Sequence, residues 1–239
     1  INASKDIAKQ ENIELSIAFP KAGIKNYKKL QGKNINYYAF NMVKYNDTEL
    51  IKNNIILEKL IQVVKPDLVH IYGTEFAHTI SMVNVCVKKK VETVISIQGL
   101  VSVIEKHMYA NLPFSTIHGL TLRNLLRGDS VSGLRNQFIR RGRNEINALR
   151  KTKNIIGRTN WDKACTSQIN PTARYHFCNE TLRGEFYKRQ WDIEKIERFS
   201  IFLSQGQYSI KGLHYVLESI PIIVKRFPQT KLYISGKNI

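Results

Sequence analysis

Short apolar runs alternate with amphipathic helical patterns along most of the chain. The runs are rich in β-branched and aromatic residues, which predicts strands; they are Ile13 to Phe19, Ile35 to Phe40, Leu68 to Tyr72, Val91 to Ile97, Asn154 to Gly157 and Arg174 to Cys178. Between Asp47 and Lys65 the apolar positions follow helical spacing, with Asp47 as the expected N-cap and Pro66 ending the helix. This alternation predicts an α/β fold with a mostly parallel sheet and helices on both faces.

Three more helices are predicted in the same part of the chain. They cover Phe76 to Lys90, Ser132 to Lys151 and Trp161 to Ile169. The segment from Gly99 to Gly133 has weak periodicity and several Gly and Ser residues, so we expect a long loop with short helices. Loops of that length inside α/β domains tend to be functional.

A second strand, loop, helix and strand unit runs from Phe199 to Gly236. Its helix contains Pro221, which we expect to kink or restart it. Lys211 stands at the helix entrance, where unpaired backbone N–H groups attract phosphate. The charged stretch 187–198 precedes this unit, so we predict one domain over residues 1–198 and the start of another over 199–239.

Length and charge limit the class of protein. With 239 residues, 43% of them hydrophobic, the chain can bury a substantial core. Lys and Arg number 37 against 19 Asp and Glu, a formal charge of +18. Such a surface attracts nucleic acid, anionic lipid headgroups or phosphorylated ligands, so the charge specifies a sign and not a partner.

Cysteine and histidine usage gives no sign of a metal site. Cys86, Cys165 and Cys178 lie far apart, and we interpret them as reduced core residues of a cytosolic protein. The apolar runs are much shorter than the ~20 residues of a membrane span. The N-terminus lacks the pattern of a secretory signal. We therefore expect a cytoplasmic protein without a bound metal.

Polar residues follow the ends of the predicted strands, which is where ligands bind in an open parallel sheet. The segments are His70 to Glu75, Ser96 to Gly99, Gly157 to Asp162, Asn179 to Arg183 and Gln205 to Gly212.

Three of these residues have both a functional and a structural interpretation. Glu75 suits a base or an acceptor for a substrate hydroxyl, but a Thr-Glu pair before a helix is also an ordinary cap. Gln98 suits a polar contact to a ligand, or an amide that holds the next loop. Arg158 suits a bidentate bond to phosphate, or an ion pair with Asp162 or Glu180.

The densest basic region comprises Arg140 to Arg143 and Arg150 to Lys153. A solvated helix face explains most runs of this kind, and the functional alternative is an anionic membrane or a polyanionic acceptor. Nucleic acid is disfavoured, because the aromatic residues are not interleaved with arginines and no nucleic-acid-binding signature occurs.

Taken in order, the strand-end segments form a familiar succession. They are Pro66 to Glu75, Ile97 to Leu100, Ile156 to Lys163, Cys178 to Arg183 and Ile210 to His214. As a set they resemble bacterial retaining glycosyltransferases of family four, the group 1 type, over nearly the whole chain. That family has the GT-B fold, so the resemblance implies the N-terminal half of a GT-B fold, a Rossmann-like parallel sheet domain, plus the first strand, helix and strand of a second Rossmann-like domain.

The resemblance also implies an activity and a set of site residues. Such enzymes move a sugar from a nucleotide diphosphate donor to an acceptor without a bound metal or other cofactor, the N-terminal domain holding the acceptor and the C-terminal domain the donor. Lys211 matches the lysine on the donor diphosphate, and Gln98 occupies the strand end where many members carry a histidine. The implied roles are catalytic for Gln98 and Glu75, donor-phosphate-binding for Lys211, Arg158 and Gly206, and acceptor-side for His70, Glu180 and Arg183.

Three departures from the family pattern stand beside the match. Gln205 and Gly206 replace an arginine usually found before the lysine, so diphosphate binding would depend on backbone N–H groups or Arg158. The family's first strand with its Gly-rich loop, and the two-glutamate motif that grips the donor, are both missing from this sequence. We therefore expect a segment truncated at both ends that cannot turn over by itself.

The leading hypothesis is a sugar transferase at the inner face of the cytoplasmic membrane, with a polysaccharide or lipid-linked glycan as acceptor. The rival is a non-catalytic basic α/β module that binds anionic lipid or nucleic acid. A third interpretation is another GT-B enzyme, a sugar phosphorylase or an epimerase.

Overall fold

The computed structural model describes residues 2–42, 47–119, 122, 130–206 and 208–235. Its strands are β1 (Ser16–Lys21), β2 (Tyr27–Gln31), β3 (Asn36–Asn41), β4 (Leu68–Tyr72), β5 (Glu92–Ser96), β6 (Asn154–Gly157), β7 (Arg174–Phe177), β8 (Ser200–Leu203) and β9 (Lys231–Ile234). Its helices are α1 (Asn2–Ile7), α2 (Asp47–Val64), α3 (Ala77–Lys89), α4 (Val101–Ile104), α5 (Phe114–His118), α6 (Val131–Lys151), α7 (Asn160–Ile169), α8 (Gly184–Tyr187) and α9 (Leu213–Arg226).

Strands β4 to β7 form an all-parallel sheet in that order, which confirms the predicted Rossmann-like α/β architecture. Ile71, Ile95 and Ile155 are register partners on successive strands, and all three are buried. The helices between the strands cover this face with Ile80 and Val83 from α3, Ala148 and Leu149 from α6, and Cys165 and Ile169 from α7. Branched apolar side chains at alternate strand positions therefore build the main core.

The other face of this sheet is more open at its first strand. Leu68 and Tyr72 are 55% and 57% exposed, whereas Val94 on the neighbouring strand is buried. His70 lies between Leu68 and Tyr72 on the same face, since side chains alternate along a strand. Polar and aromatic groups near the carboxyl end of β4 are thus accessible from this side.

A second, three-stranded sheet has the order β1-β3-β2, with β1 parallel and β2 antiparallel to β3. Tyr38 and Phe40 of β3 pack on Leu57 and Leu60 of α2. The apolar pattern does not predict β2, because Tyr27–Gln31 carries two lysines and lies half-exposed at a sheet edge. The side chain of Asp47, the predicted N-cap of α2, lies outside the described residues.

By its internal contacts the chain groups into two compact units. The first comprises Ile1–Val103 and Ile139–Phe186, and the second Ile104–Phe138 and Tyr187–Ile239. Units defined by internal contacts need not coincide with folding domains. The predicted division into residues 1–198 and 199–239 therefore stays a prediction.

In the second unit, β8 and β9 pair in parallel and α9 connects them, as the apolar pattern indicates. Pro221 lies inside α9 and does not end it. Part of the predicted long loop packs on the start of this helix, because His214 Nε2 and Tyr215 Oη donate to the Ala110 carbonyl at 2.8 and 2.9 Å. Gln207 and Gly236 lie outside the described residues.

The cysteines differ from the expectation that all three are core residues. Cys86 is buried, Cys165 is partly buried and Cys178 is exposed, and all three are free thiols. Cys178 is exposed because it comes directly after the end of β7, where the chain leaves the sheet. No helix within the described ranges combines the length and the apolar character needed to cross a bilayer.

Candidate functional site

Gln98, Arg158 and Glu180 meet beyond the carboxyl ends of β5, β6 and β7. Gln98 Nε2 donates to Glu180 Oε1 at 2.8 Å, and Arg158 Nη1 forms an ion pair with Glu180 Oε2 at 2.8 Å. Arg158 Nη2 also reaches the carbonyl oxygens of Ile97 and Gln98 at 3.4 Å. Because parallel strands end at the same edge, three loops far apart in sequence place one acid, one amide and one guanidinium together.

In the structure, Arg158 and Gln98 make the contacts of their structural interpretations: an ion pair for Arg158 and a bond that holds a loop for Gln98. Of the two partners considered for Arg158, its guanidinium pairs with Glu180, while its backbone N–H donates to Asp162 at 3.0 Å. Gln98 likewise holds a neighbouring loop through Glu180. A ligand at this edge would therefore have to exchange with bonds that already exist.

A buried aspartate fixes the loop that carries Arg158. Asp162 and Thr159 form a capping box at the start of α7, and Tyr175 Oη donates to Asp162 Oδ1 at 2.5 Å. Burial would raise the pKa of Asp162, but the bonds from Tyr175, Arg158 and Thr159 outweigh burial and lower it. Burial and the bond to Asp162 raise the pKa of Tyr175 to about 12. The loop is thus held by an ionised carboxylate.

Glu75 lies in the loop after β4. Its Oε2 accepts from the Thr74 N–H at 3.1 Å. The N-cap position of α3 is Phe76, whose side chain makes no cap bond, so both interpretations of Glu75 stay predictions. Thr74 Oγ1 contacts the Gly99 carbonyl at 3.1 Å, which keeps this loop beside the one that carries Gln98.

His70 lies within the sheet, below the loop. Its Nε2 is 2.6 Å from Ser96 Oγ, and its ring stacks on Tyr72 with centroids 4.2 Å apart. Burial lowers the pKa of His70, so the ring is neutral at pH 7. Burial is the main cause that raises the pKa of Tyr72 above its ordinary value.

Arg183, the third predicted acceptor-side residue, makes a different contact. Its guanidinium lies 6.0 Å from the ring centroid of Phe186, in an exposed part of the chain. It therefore does not join the Gln98, Arg158 and Glu180 cluster through any bond among the described residues.

Lys211 and Gly206 belong to the second unit. Lys211 ends a short 3-10 turn, Ser209–Lys211, and Gly212 with φ 78° separates that turn from α9. The N-cap of α9 is Gly212, which has no side chain to accept from the first amides of this helix. A Cβ on Gly206 would lie 3.1 Å from Leu213 Cδ2, so the loop passes close to the helix start.

A depression of about 660 Å³ also lies in the second unit, in the segment after α8. Tyr187, Trp191, Ile193 and Lys195 are among the residues that line it. None of the predicted site residues is among the described residues that line it, so its size alone does not make it the candidate site.

Sequence reasoning missed the buried Glu145 of α6. It accepts hydrogen bonds from the loops after both β4 and β5. One signal was present, since Glu145 is the single acid in a strongly basic stretch and Gly142 precedes it by three residues. No cluster of three or more His, Cys, Asp or Glu side chains suited to a metal occurs within the part of the chain that the structure describes.

Comparison with known proteins gives no further assignment. No protein-family profile matches the chain, and no curated protein matches it.

Proposed function

We propose that this protein transfers a sugar from a nucleotide diphosphate donor to a glycan or lipid-linked acceptor with retention of configuration. The observation that supports the proposal most is the meeting of Gln98, Arg158 and Glu180 beyond the ends of adjacent parallel strands. This is the edge where ligands bind in open α/β sheets. The succession of motifs that resembles family-four glycosyltransferases supports the choice of reaction.

The chemistry would be electrostatic. Departure of a nucleoside diphosphate builds negative charge on the leaving phosphate, and cations or backbone amides that face this charge stabilise the transition state more than the ground state. In the proposal Lys211 and the amides at the start of α9 supply that positive charge in the second unit, and Arg158 is the phosphate-binding cation of the first unit. Gln98 and Glu75 contact the reacting sugar and the acceptor, with His70, Glu180 and Arg183 on the acceptor side.

Arg158 can exchange its present partner for a phosphate. The Arg158 and Glu180 side chains are 32% and 51% exposed, and ion pairs at such sites contribute only about 0–1 kcal/mol. A diphosphate offers more charge and bidentate geometry to a guanidinium. Release of Glu180 would then leave its carboxylate available to acceptor hydroxyls.

The test uses the product of the complete reading frame that encodes this chain, titrated calorimetrically with UDP-glucose and GDP-mannose. Lys211→Ala should weaken binding of the preferred donor about tenfold or more, since a charge-assisted bond to phosphate is lost. Lys225→Ala is the matched control, because Lys225 is exposed near the other end of the same helix. The proposal fails if neither nucleotide sugar binds and Lys211→Ala changes nothing.

A second candidate is a non-catalytic module that binds an anionic surface. Arg140, Arg143 and Arg150 are exposed at helical spacing along α6, and the chain carries a charge of +18. The same stripe supports a peripheral location at the inner face of the membrane for a transferase. Binding to anionic vesicles together with donor binding would support that location, whereas steeply salt-dependent DNA binding without donor binding would favour the second candidate.

A further inference from the structure

Glu145 is a fully buried acid with an unusual set of partners. Its side chain lies in α6 at 0% exposure, and no ion pair to it occurs among the described residues. Its Oε1 accepts from the Ser102 N–H at 2.9 Å and from Ser102 Oγ at 2.6 Å. Its Oε2 accepts from the Val101 N–H at 3.1 Å and from Thr74 Oγ1. Four hydrogen bonds replace the water that burial removed, which is the condition for keeping such a group in a core.

The four donors belong to the segments that follow two neighbouring strands of the candidate site. Thr74 lies in the loop after β4, and Val101 and Ser102 begin the short helix α4 at the end of the loop after β5. Tyr72 and Ser96, the last residues of these strands, are register partners, so the two loops start side by side. Glu75 comes directly after Thr74, and Gln98 comes three residues before Val101. One carboxylate therefore joins the loops that carry both predicted catalytic residues.

Gly142 of α6 also favours the contact between this helix and Ser102. Gly142 lies three residues before Glu145 and shares its face of α6. A Cβ at Gly142 would lie 2.8 Å from Ser102 Cα and 3.2 Å from Ser102 N, closer than packed atoms allow. The missing side chain lets α6 approach the backbone of Ser102 closely enough for Glu145 to reach its N–H.

Thr74 adds a link between the two loops. Its Oγ1 is within hydrogen-bond distance of both Glu145 Oε2 and the Gly99 carbonyl. Thr74 is itself fully buried, so its hydroxyl bonds only inside the protein. Removal of this one oxygen should separate the loop after β4 from the loop after β5 while leaving the volume of the side chain nearly unchanged.

From these contacts we propose that Glu145 is a positioning residue, which with Thr74 and Ser102 holds the loops after β4 and β5 so that Glu75 and Gln98 face the same ligand. The inference deepens the proposed transferase function and rests on it for its catalytic consequence. The structural claim, that Glu145, Thr74 and Ser102 hold the loops after β4 and β5 rigidly, rests on the contacts alone.

The experiment compares Thr74→Val, Thr74→Ser and Glu145→Gln in the product of the complete reading frame. Amide hydrogen exchange, followed by NMR, measures how rigidly the two loops are held. Thr74→Val should speed exchange at Val101, Ser102 and Glu75 by about tenfold or more, because local opening becomes easier. Glu145→Gln should do the same, since its amide NH2 would face the Val101 N–H donor. Thr74→Ser keeps the hydroxyl and should restore protection.

Thr152→Val is the matched control. Thr152 is equally buried, and its Oγ1 donates only within its own helix region, to the Ala148 carbonyl at 2.9 Å. The control should leave exchange at Val101, Ser102 and Glu75 unchanged. Unchanged exchange at these amides in Thr74→Val and Glu145→Gln would overturn the inference.

Steady-state kinetics with the preferred nucleotide sugar separate positioning from general stability. Thr74→Val should lower kcat about 10- to 100-fold with donor KM nearly unchanged, since small displacements of catalytic groups cost rate more than binding. Loosened loops with wild-type kcat would overturn the inference and leave the proposed function in place. If the wild-type protein turns over no nucleotide sugar, the proposed function fails, and exchange at Val101, Ser102 and Glu75 alone decides whether Glu145 holds the two loops.

Discussion

Gly157 shows how closely single residues are fitted around the Arg158 loop. A Cβ at this position would lie 2.4 Å from Tyr175 Oη and 2.7 Å from its ring. Gly157→Ala should therefore displace Tyr175 and break its bond to Asp162. We expect a loss of about 1–3 kcal/mol in the free energy of unfolding, measured by urea denaturation.

Gly184→Ala is the control for this substitution. No atom lies within 4 Å of a Cβ at Gly184, and the residue starts the exposed helix α8. Its stability should stay within about 0.5 kcal/mol of wild type. Equal stability of Gly157→Ala and wild type would mean that Tyr175 does not hold the loop as described.

Asp162 should make stability depend on acid pH in a defined direction. Because its pKa is lower in the folded chain than in the unfolded one, its ionised form favours folding above the unfolded pKa of about 4. That contribution is lost as pH falls through the folded pKa. Asp162→Asn should be less stable at pH 7 and should lose less stability than wild type between pH 7 and about pH 3, measured by urea unfolding. Parallel pH profiles for the two proteins would contradict this role.

At the scale of elements, the approach of α6 to the loop after β5 is the contact most open to test. Gly142→Ala gains about 1 kcal/mol of helix propensity, but its Cβ would lie 2.8 Å from the backbone of Ser102. Overpacking against backbone typically costs about 1–3 kcal/mol, so we expect net destabilisation in urea unfolding. Asn147→Ala, on the exposed side of the same helix, should be neutral or slightly stabilising, and a more stable Gly142→Ala protein would exclude the close approach.

Elements with strong periodicity were predictable from sequence, and those defined by tertiary contacts were not. Strands β4 and β6 match their predicted bounds, and α2, α3, α6 and α7 differ by one residue at one or both ends. Strand β2 was not predicted because its two adjacent lysines, Lys28 and Lys29, are both exposed, so it lacks the apolar alternation that predicted its hairpin partner β3.

The candidate site was predictable to a similar extent. Parallel strand ends pointed to Gln98, Arg158 and Glu180, and the structure brings these three together. Glu145 was not predicted because it lies on a helix, away from any strand end. Its hydrogen-bond partners are 43 or more positions away in sequence. Long-range hydrogen bonds of this kind leave no local pattern.

For the whole molecule, the charge of +18 and the polar strand-end edge are separate properties. The charge attracts anions of any kind, whereas the edge offers an amide, an acid and a guanidinium in fixed positions. If the proposed function holds, selective binding of a nucleotide sugar depends on the edge and not on the charge.

Mapping donor binding by NMR tests that claim most directly. With UDP-glucose and GDP-mannose titrated into the ¹⁵N-labelled product of the complete reading frame, the side-chain signals of Gln98 and Arg158 should shift with one saturable affinity, while those of the exposed Arg140 and Arg143 should not. Shifts confined to the basic stripe of α6, or no shifts at millimolar donor, would contradict a nucleotide-sugar site at the strand-end edge.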